Sequence, residues 1–335
     1  MIRPSVRFAS AAVLVALSMS LTQFSGIQAS AQTQVPAAPP TATTPTAPAP
    51  AAAPVFPKPD PKNFTAPSPT KETIDAFLRA SWGYEDSRIW QVQAILKTPV
   101  DGVAKVVVLV GDKTGKEKPA VLQFFALPDG KHIIAADQIV AFGENPFADF
   151  RTQLQQQATG PYRGAASKDL ELVEFADFQC PHCKEAQANM DKLMVDFPKA
   201  RIVFENDPIA AIHPESVTAA SYGVCVASLG GSTSFFQFAS AVFEGQDGLA
   251  TTDGAALTLN SAVTKVGLDP AKVAACAATP ATKETVDATV KLATDMGINQ
   301  VPILVINGRQ VPANAPYETL KKIIEYQAKM DGVTL

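Results

Sequence analysis

One stretch limits this chain more than any other: Leu170-Glu171-Leu172-Val173-Glu174-Phe175 running into Cys180-Pro181-His182-Cys183. The first part reads as a buried strand, apolar and β-branched apart from its two glutamates. The second part is a C-x-x-C that opens a helix, because Cys183, Ala186, Gln187, Met190, Leu193, Met194 and Phe197 follow at helical spacing. Residues 199–206 (KARIVFEN) return as a second strand. A strand, a dithiol at a helix start and a further strand make an α/β unit suited to redox chemistry.

The chemistry needs this arrangement. The attacking species in thiol–disulfide exchange is a thiolate, and a free cysteine near neutral pH is mostly protonated. A helix start offers unpaired N–H groups and the positive end of the helix dipole, both of which favour an anion. Cys180 sits there. Pro181 suits the first helical turn, where it gives up no useful donor. His182 is placed to add charge or a hydrogen bond to the sulfur. These features predict a depressed Cys180 pKa, a favoured reduced form and so an oxidising disulfide. Cys183, one turn on, is the expected buried resolving thiol.

The length of 335 residues allows two domains. A net charge of -4 leaves no basic footprint, which argues against nucleic acid as a partner. Residues 1–31 read as a signal peptide: Arg3 and Arg7, an apolar run over 11–21 too short for a stable span, and Ala29-Ser30-Ala31 as the cleavage site. A retained membrane anchor is the competing reading. Export to the periplasm or another extracytoplasmic space would leave the four cysteines in an oxidising compartment. Residues 32–69, rich in Pro, Ala and Thr, read as a disordered linker.

Residues 70–158 predict a small α+β domain. Thr70 caps a short helix, and strand signals follow at 90–96, 105–110, 120–127 and 132–142. Within the first of these, Trp90, Val92, Ala94 and Leu96 alternate with Gln91, Gln93 and Ile95. Asn145-Pro146 then begins a helix through Gln157. This unit has no cysteine and no convergent acid–base set, so it reads as a dimerisation or substrate-presenting module. His132 reads as a surface residue. Residues 160–166 look like a turn-rich connection. The second unit, residues 167–335, carries the dithiol and a largely helical stretch over 214–297. A hairpin with Asn307-Gly308 at its turn and a closing helix striped by Tyr317, Leu320 and Ile324 complete it.

The second unit resembles the bacterial DsbA-like disulfide oxidoreductases. The residues that carry the likeness are Val173-Glu174-Phe175, Cys180-Pro181-His182-Cys183, the helical insertion, and Val301-Pro302 ahead of a strand and Asn307-Gly308. The resemblance implies a thioredoxin-like fold with a helical insertion. It implies Cys180 as the exposed nucleophile, Cys183 as its partner, and Pro302 as a cis-proline facing the motif. It leaves the Val301 backbone to pair with an extended substrate. It makes Glu174 a buried carboxylate that moves protons during exchange, although no Lys or Arg lies between Arg201 and Lys265 to partner it from the next strand. It implies no cofactor and no metal. It implies reduced or unfolded secreted proteins as clients, and a membrane redox partner: a quinone-linked re-oxidase, or a thiol donor for an isomerase.

Other readings stay open at this stage. Cys180 and Cys183 could be half of a zinc site, or a static disulfide. His213, which precedes Pro214 at a helix start, reads as structural. Cys225 and Cys276 read as a structural disulfide in the helical insertion, with two free thiols or a second redox pair as alternatives. A small sheet domain ahead of the redox unit looks like the layout of the dimeric isomerases DsbC and DsbG. A chaperone-like binder is the third reading. CPHC with Val301 before Pro302 looks more like the oxidases.

Overall fold

In the computed structural model, which describes residues 56–115, 118–136 and 138–335, two five-stranded sheets follow one another along the chain. The signal-peptide reading and most of the linker reading fall outside the described residues. The end of the expected linker does not behave as one. Asp60 caps a turn of 3-10 helix at Pro61–Asn63, and Phe64 bridges to Ile95. Phe64 and Ala66 pack on the first core. Composition pointed to disorder, but one aromatic with a strand edge beside it is enough to dock this stretch.

Helix α1 (Lys71–Trp82) begins where expected, with the Thr70 hydroxyl accepting the Thr73 N–H at 3.2 Å. It buries Ile74, Phe77, Leu78 and Trp82 against a meander of β1 (Arg88–Lys97), β2 (Ala104–Asp112), β3 (Ala120–Ala126), β4 (His132–Ala135) and β5 (Gln138–Ala141). Two details depart from the sequence pattern. A register shift between Val92 and Ala94 turns Ile95 into the core, so the simple alternation expected of β1 breaks at a bulge. The strand expected over 132–142 folds on itself at Ala136, whose φ is 55°, giving β4 and β5.

Helix α2 (Ala148–Gln157) was expected to close the first unit. Instead Leu154 and Ala158 pack with Val173 and Phe175 of the second sheet, so the helix serves the redox unit. The second sheet contains β6 (Tyr162–Gly164), β7 (Glu171–Ala176), β8 (Arg201–Asn206), β9 (Ile303–Ile306) and β10 (Arg309–Pro312), in the order β10-β9-β7-β8-β6. The central strand β7 runs parallel to β8 and antiparallel to β9. Residues 160–166, read as a connection, contain the short edge strand β6 paired to β8. Helix α3 (Pro181–Asp196) joins β7 to β8, and α8 (Tyr317–Met330) covers the same face. This is the thioredoxin-like arrangement, with a helical insertion between β8 and β9.

The insertion contains α4 (Ser216–Glu244), α5 (Thr252–Lys265), α6 (Pro270–Ala277) and α7 (Pro280–Asp295). Gly231, with φ 76° and ψ 179°, breaks α4 into two helical arms. Phe178, Phe204, Phe235, Phe238 and Phe243 form its aromatic core against the dithiol loop. Cys225 and Cys276 are joined as a disulfide across 51 residues, linking α4 to α6.

The two units meet at Arg309 of β10, which is buried. Its guanidinium donates to Gln327 Oε1 at 2.9 Å, to the Ser81 carbonyl at 2.8 Å and to the Ala80 carbonyl. The same group lies 4.2 Å from the Phe147 ring centroid. It therefore caps the open C-terminal carbonyls of α1 with a charge from the second unit. Tyr326 adds a 2.6 Å bond from its hydroxyl to the Arg79 carbonyl.

Candidate active site

Strand β7 carries the chain through the middle of the sheet and releases it beside the end of β8, where α3 begins. Cys180 is the capping residue of α3 and Pro181 its first helical residue. Cys183 is fully buried and Cys180 is 6% exposed, so Cys180 is more enclosed than the exposed thiol expected from sequence, yet it remains the more accessible of the two. The Cys180 Sγ lies 3.9 Å from the Val301 carbonyl oxygen. The Val301–Pro302 bond is cis.

The two thiols are driven apart electrostatically. Donation from the Cys183 thiol lowers the Cys180 pKa to about 6, against an opposing burial cost. The backbone N–H groups of Cys183 and His182 and the charge of His213 add to the lowering. Burial pushes Cys183 strongly up, and its donation to Cys180 adds to this. The Asp177 N–H also points at the Cys183 sulfur, at 3.4 Å. One thiol is thus ready as a thiolate and the other holds its proton.

His182 keeps the charge part of the sequence expectation, since its ring and the Cys180 sulfur interact electrostatically, but its ring makes its hydrogen bond elsewhere. Its ring pairs with Glu185 at 2.9 Å, with both side chains exposed, and that bond raises the imidazole pKa. The part of His182 that bonds Cys180 is its backbone N–H. At an exposed helix start, a carboxylate one turn along competes well for the ring.

Glu174 lies on β7 below Cys183, 1% exposed, and accepts a bond from Gln187 Nε2 at 2.8 Å. Burial pushes its pKa up to about 7, partly offset by the Gln187 bond and by the positive charge of Arg163. The sequence showed no basic partner on β8 beyond Arg201. The positive charge comes from β6, the short strand that reads as a turn.

Several neighbours were not singled out from sequence. Asp177, 1% exposed, accepts from Gln179 N at 2.8 Å, Ile209 N at 2.8 Å and His213 Nδ1 at 2.8 Å. Gln179 reaches the Leu249 carbonyl at 2.9 Å, and Gln246 reaches the carbonyls of Phe178 and Cys180 at 2.8 and 2.9 Å. These three residues stitch the dithiol loop to the helical insertion. Only the position of Asp177, three residues before Cys180, was a local signal. The others come from distant sequence. Because Cys225 and Cys276 are bonded to each other, the zinc alternative loses the two other thiolates it needed.

Burial also raises the pKa of Glu171 on β7, and it raises two further carboxylates about as far as Glu174. Glu205 is pushed up to about 7 by burial against the Gly160 N–H bond, and Asp207 to about 7 by burial and the charge of Asp177. A carboxyl with a raised folded pKa contributes fully below its unfolded value, and that contribution is lost as pH rises through the folded value. The carboxylates with lowered values, such as Asp196, act below this window. The oxidised protein, in which Cys180 does not titrate, is therefore expected to lose stability between about pH 4 and 7, by at most on the order of 4 kcal/mol per carboxyl. Denaturant unfolding at pH 5 and pH 8 checks this, and Glu174→Gln is expected to flatten the slope. A midpoint that rises with pH would contradict protonated buried carboxyls.

Comparison with known proteins follows the redox unit. The family described as "Thioredoxin" matches residues 156–326. The chain is similar to the "Na(+)/H(+) antiporter NhaA 3" of Salinispora tropica, 31% identical over 91 residues that cover 27% of this chain and 14% of that protein. The chain therefore spans only a small part of the curated relatives it matches. Among solved structures, it is similar to a periplasmic thioredoxin-like protein from Salmonella enterica serovar Typhimurium, at 20% identity and a TM-score of 0.43, covering 55% of this chain and 96% of that one. It is also similar to the thiol-disulfide exchange protein alpha-DsbA2 from Wolbachia pipientis, at 21% identity and a TM-score of 0.46, covering 53% and 96%.

Proposed function

This chain belongs to the thioredoxin family, and from that premise we propose that it is an exported thiol:disulfide oxidoreductase that oxidises cysteines of secreted proteins. The observation that carries this reading is the asymmetry of the dithiol: Cys180 at the start of α3 with its pKa lowered to about 6, and Cys183 buried and protonated beneath it. A thiolate of that stability favours the reduced form, which makes the disulfide a good oxidant.

The exchange balances as follows. A client thiolate attacks Cys180 Sγ of the Cys180–Cys183 disulfide, forming a mixed disulfide and releasing Cys183 as thiolate. Cys183 takes a proton, for which Glu174 is the nearby carboxyl held near pKa 7. A second client thiolate then attacks the client sulfur of the mixed disulfide and expels Cys180 as a stable thiolate. The client loses two electrons and the protein gains them. A membrane redox partner restores the disulfide. Val301, beside Cys180, is the backbone an extended client would meet.

A second reading, a dimeric isomerase, is supported by the first unit. Val121, Phe125 and Ile139 are exposed on its sheet, and Phe125, Ile134 and Ile139 stand opposite one another across three strands. That apolar row fits a second copy or an unfolded client. The test runs the full chain on a reduced client and, in parallel, on a scrambled-disulfide client with a small thiol present. Oxidation without rescue supports the oxidase. Efficient rescue by a protein that sediments as a dimer supports the isomerase instead.

A further inference from the structure

His213 and Asp177 form a part-buried pair that takes no step in the exchange. His213 lies in the segment that follows β8, far from the dithiol in sequence, with its side chain 16% exposed. Its Nδ1 sits 2.8 Å from Asp177 Oδ2, which also accepts the Ile209 N–H at 2.8 Å. The other Asp177 oxygen accepts the Gln179 N–H at 2.8 Å. The backbone of Asp177 touches both cysteines: its N–H faces Cys183 Sγ at 3.4 Å, and its carbonyl accepts the Cys180 N–H at 3.1 Å. One residue thus ties the imidazole and the dithiol into a single frame.

We propose that His213, held by Asp177, is a positioning residue whose imidazolium stabilises the Cys180 thiolate, in addition to His182, whose ring is bonded to Glu185. This rests on the exchange reading for its purpose, but not for its physics. The Asp177 carboxylate holds the ring through its Nδ1. The charge of His213 is felt at Cys180 and lowers its proton affinity. The other charged groups around the pair are Asp207, which interacts with Asp177 and is itself held near pKa 7, and Glu215. Glu215 accepts from Thr252 Oγ1 at 2.7 Å. Such a charge acts on the reduced form, because only that form carries the thiolate.

Two measurements on the full chain test this. In the first, thiolate absorbance near ~240 nm and the alkylation rate of Cys180 are followed against pH in the reduced protein. His213→Gln is expected to raise the Cys180 midpoint by about half a pH unit or more and to slow alkylation at pH 6 about twofold or more. His213→Lys, which restores a cation, is expected to recover much of that loss, whereas a purely structural histidine would not be rescued by charge. An unchanged midpoint in folded His213→Gln overturns the proposal. The second measurement needs no variant: an NMR titration of His213 in the reduced and oxidised protein. Coupling is reciprocal, so His213 is expected to titrate at higher pH when Cys180 is a thiolate. Equal midpoints in the two redox states overturn the proposal. A chain that shows the coupling but oxidises no client would remove the exchange reading and leave this one standing.

Discussion

Cys180→Ser is expected to remove thiol–disulfide exchange, with a loss of at least about a thousandfold in the rate of client oxidation. The serine hydroxyl keeps the size of the thiol but does not ionise at this helix start, and it cannot form the disulfide. Cys183 does not substitute, since it is fully buried and its pKa is driven up by burial. The same argument predicts a pH signature in the wild type. The lowered Cys180 pKa contributes stability to the reduced form that is fully present above the ordinary thiol value of 9.0 and is lost as pH falls through about 6. The full effect is about 4 kcal/mol at most. The gap in unfolding midpoint between reduced and oxidised protein is expected to change in the oxidised form's favour as pH drops from 9 to 5. Stopped-flow oxidation of a reduced client and paired unfolding curves measure both effects. Client oxidation that survives in Cys180→Ser would remove the assignment of this dithiol.

Joint replacement of Cys225 and Cys276 by serine is expected to cost stability while leaving exchange intact. The bond closes a loop of 51 residues between α4 and α6. In the chain-entropy account, opening a loop of that length costs about 4 kcal/mol. Cys225 is wholly buried among Val226, Phe235 and Val263, so a serine there also places a hydroxyl in an apolar core. The nearby Thr282 Oγ1, 3.4 Å from Cys225 Sγ, is a polar neighbour that softens this. Denaturant unfolding reads the loss, and client oxidation at low temperature reads the chemistry. If the folded double variant failed to oxidise clients, the pair would be a second redox centre and the structural assignment would fall.

The path from sequence to site was short where local rules decide. Cys180, Pro181 and Cys183 are legible because a helix start, a tolerated first-turn proline and helical spacing are all local facts. Thr70 and Asn307-Gly308 are legible for the same reason: each is a backbone geometry that few residues satisfy. The pattern failed where a neighbour in space overruled it. Gln93 has no sequence mark of a bulge, yet the pairing of β1 with β2 inserts it and turns Ile95 inward. Helix α2 carries too weak an apolar face to announce which sheet it covers, and Leu154 and Ala158 settle that only by contact with Val173 and Phe175.

By itself the sequence determined the chemistry: a dithiol on a helix start, after a buried strand, ahead of an X–Pro and a tight hairpin. Those are short-range constraints, and each follows from what one residue type can do at one backbone position. The tertiary structure alone decided the electrostatics around that dithiol. It bonded the ring of His182 to Glu185 and brought in His213 through Asp177. It supplied Arg163 from an edge strand that reads as a turn, and buried Glu174, Glu205 and Asp207 far enough to hold their protons near neutrality. Charge interactions and desolvation depend on distance and burial in the folded chain, and neither is written in residue order.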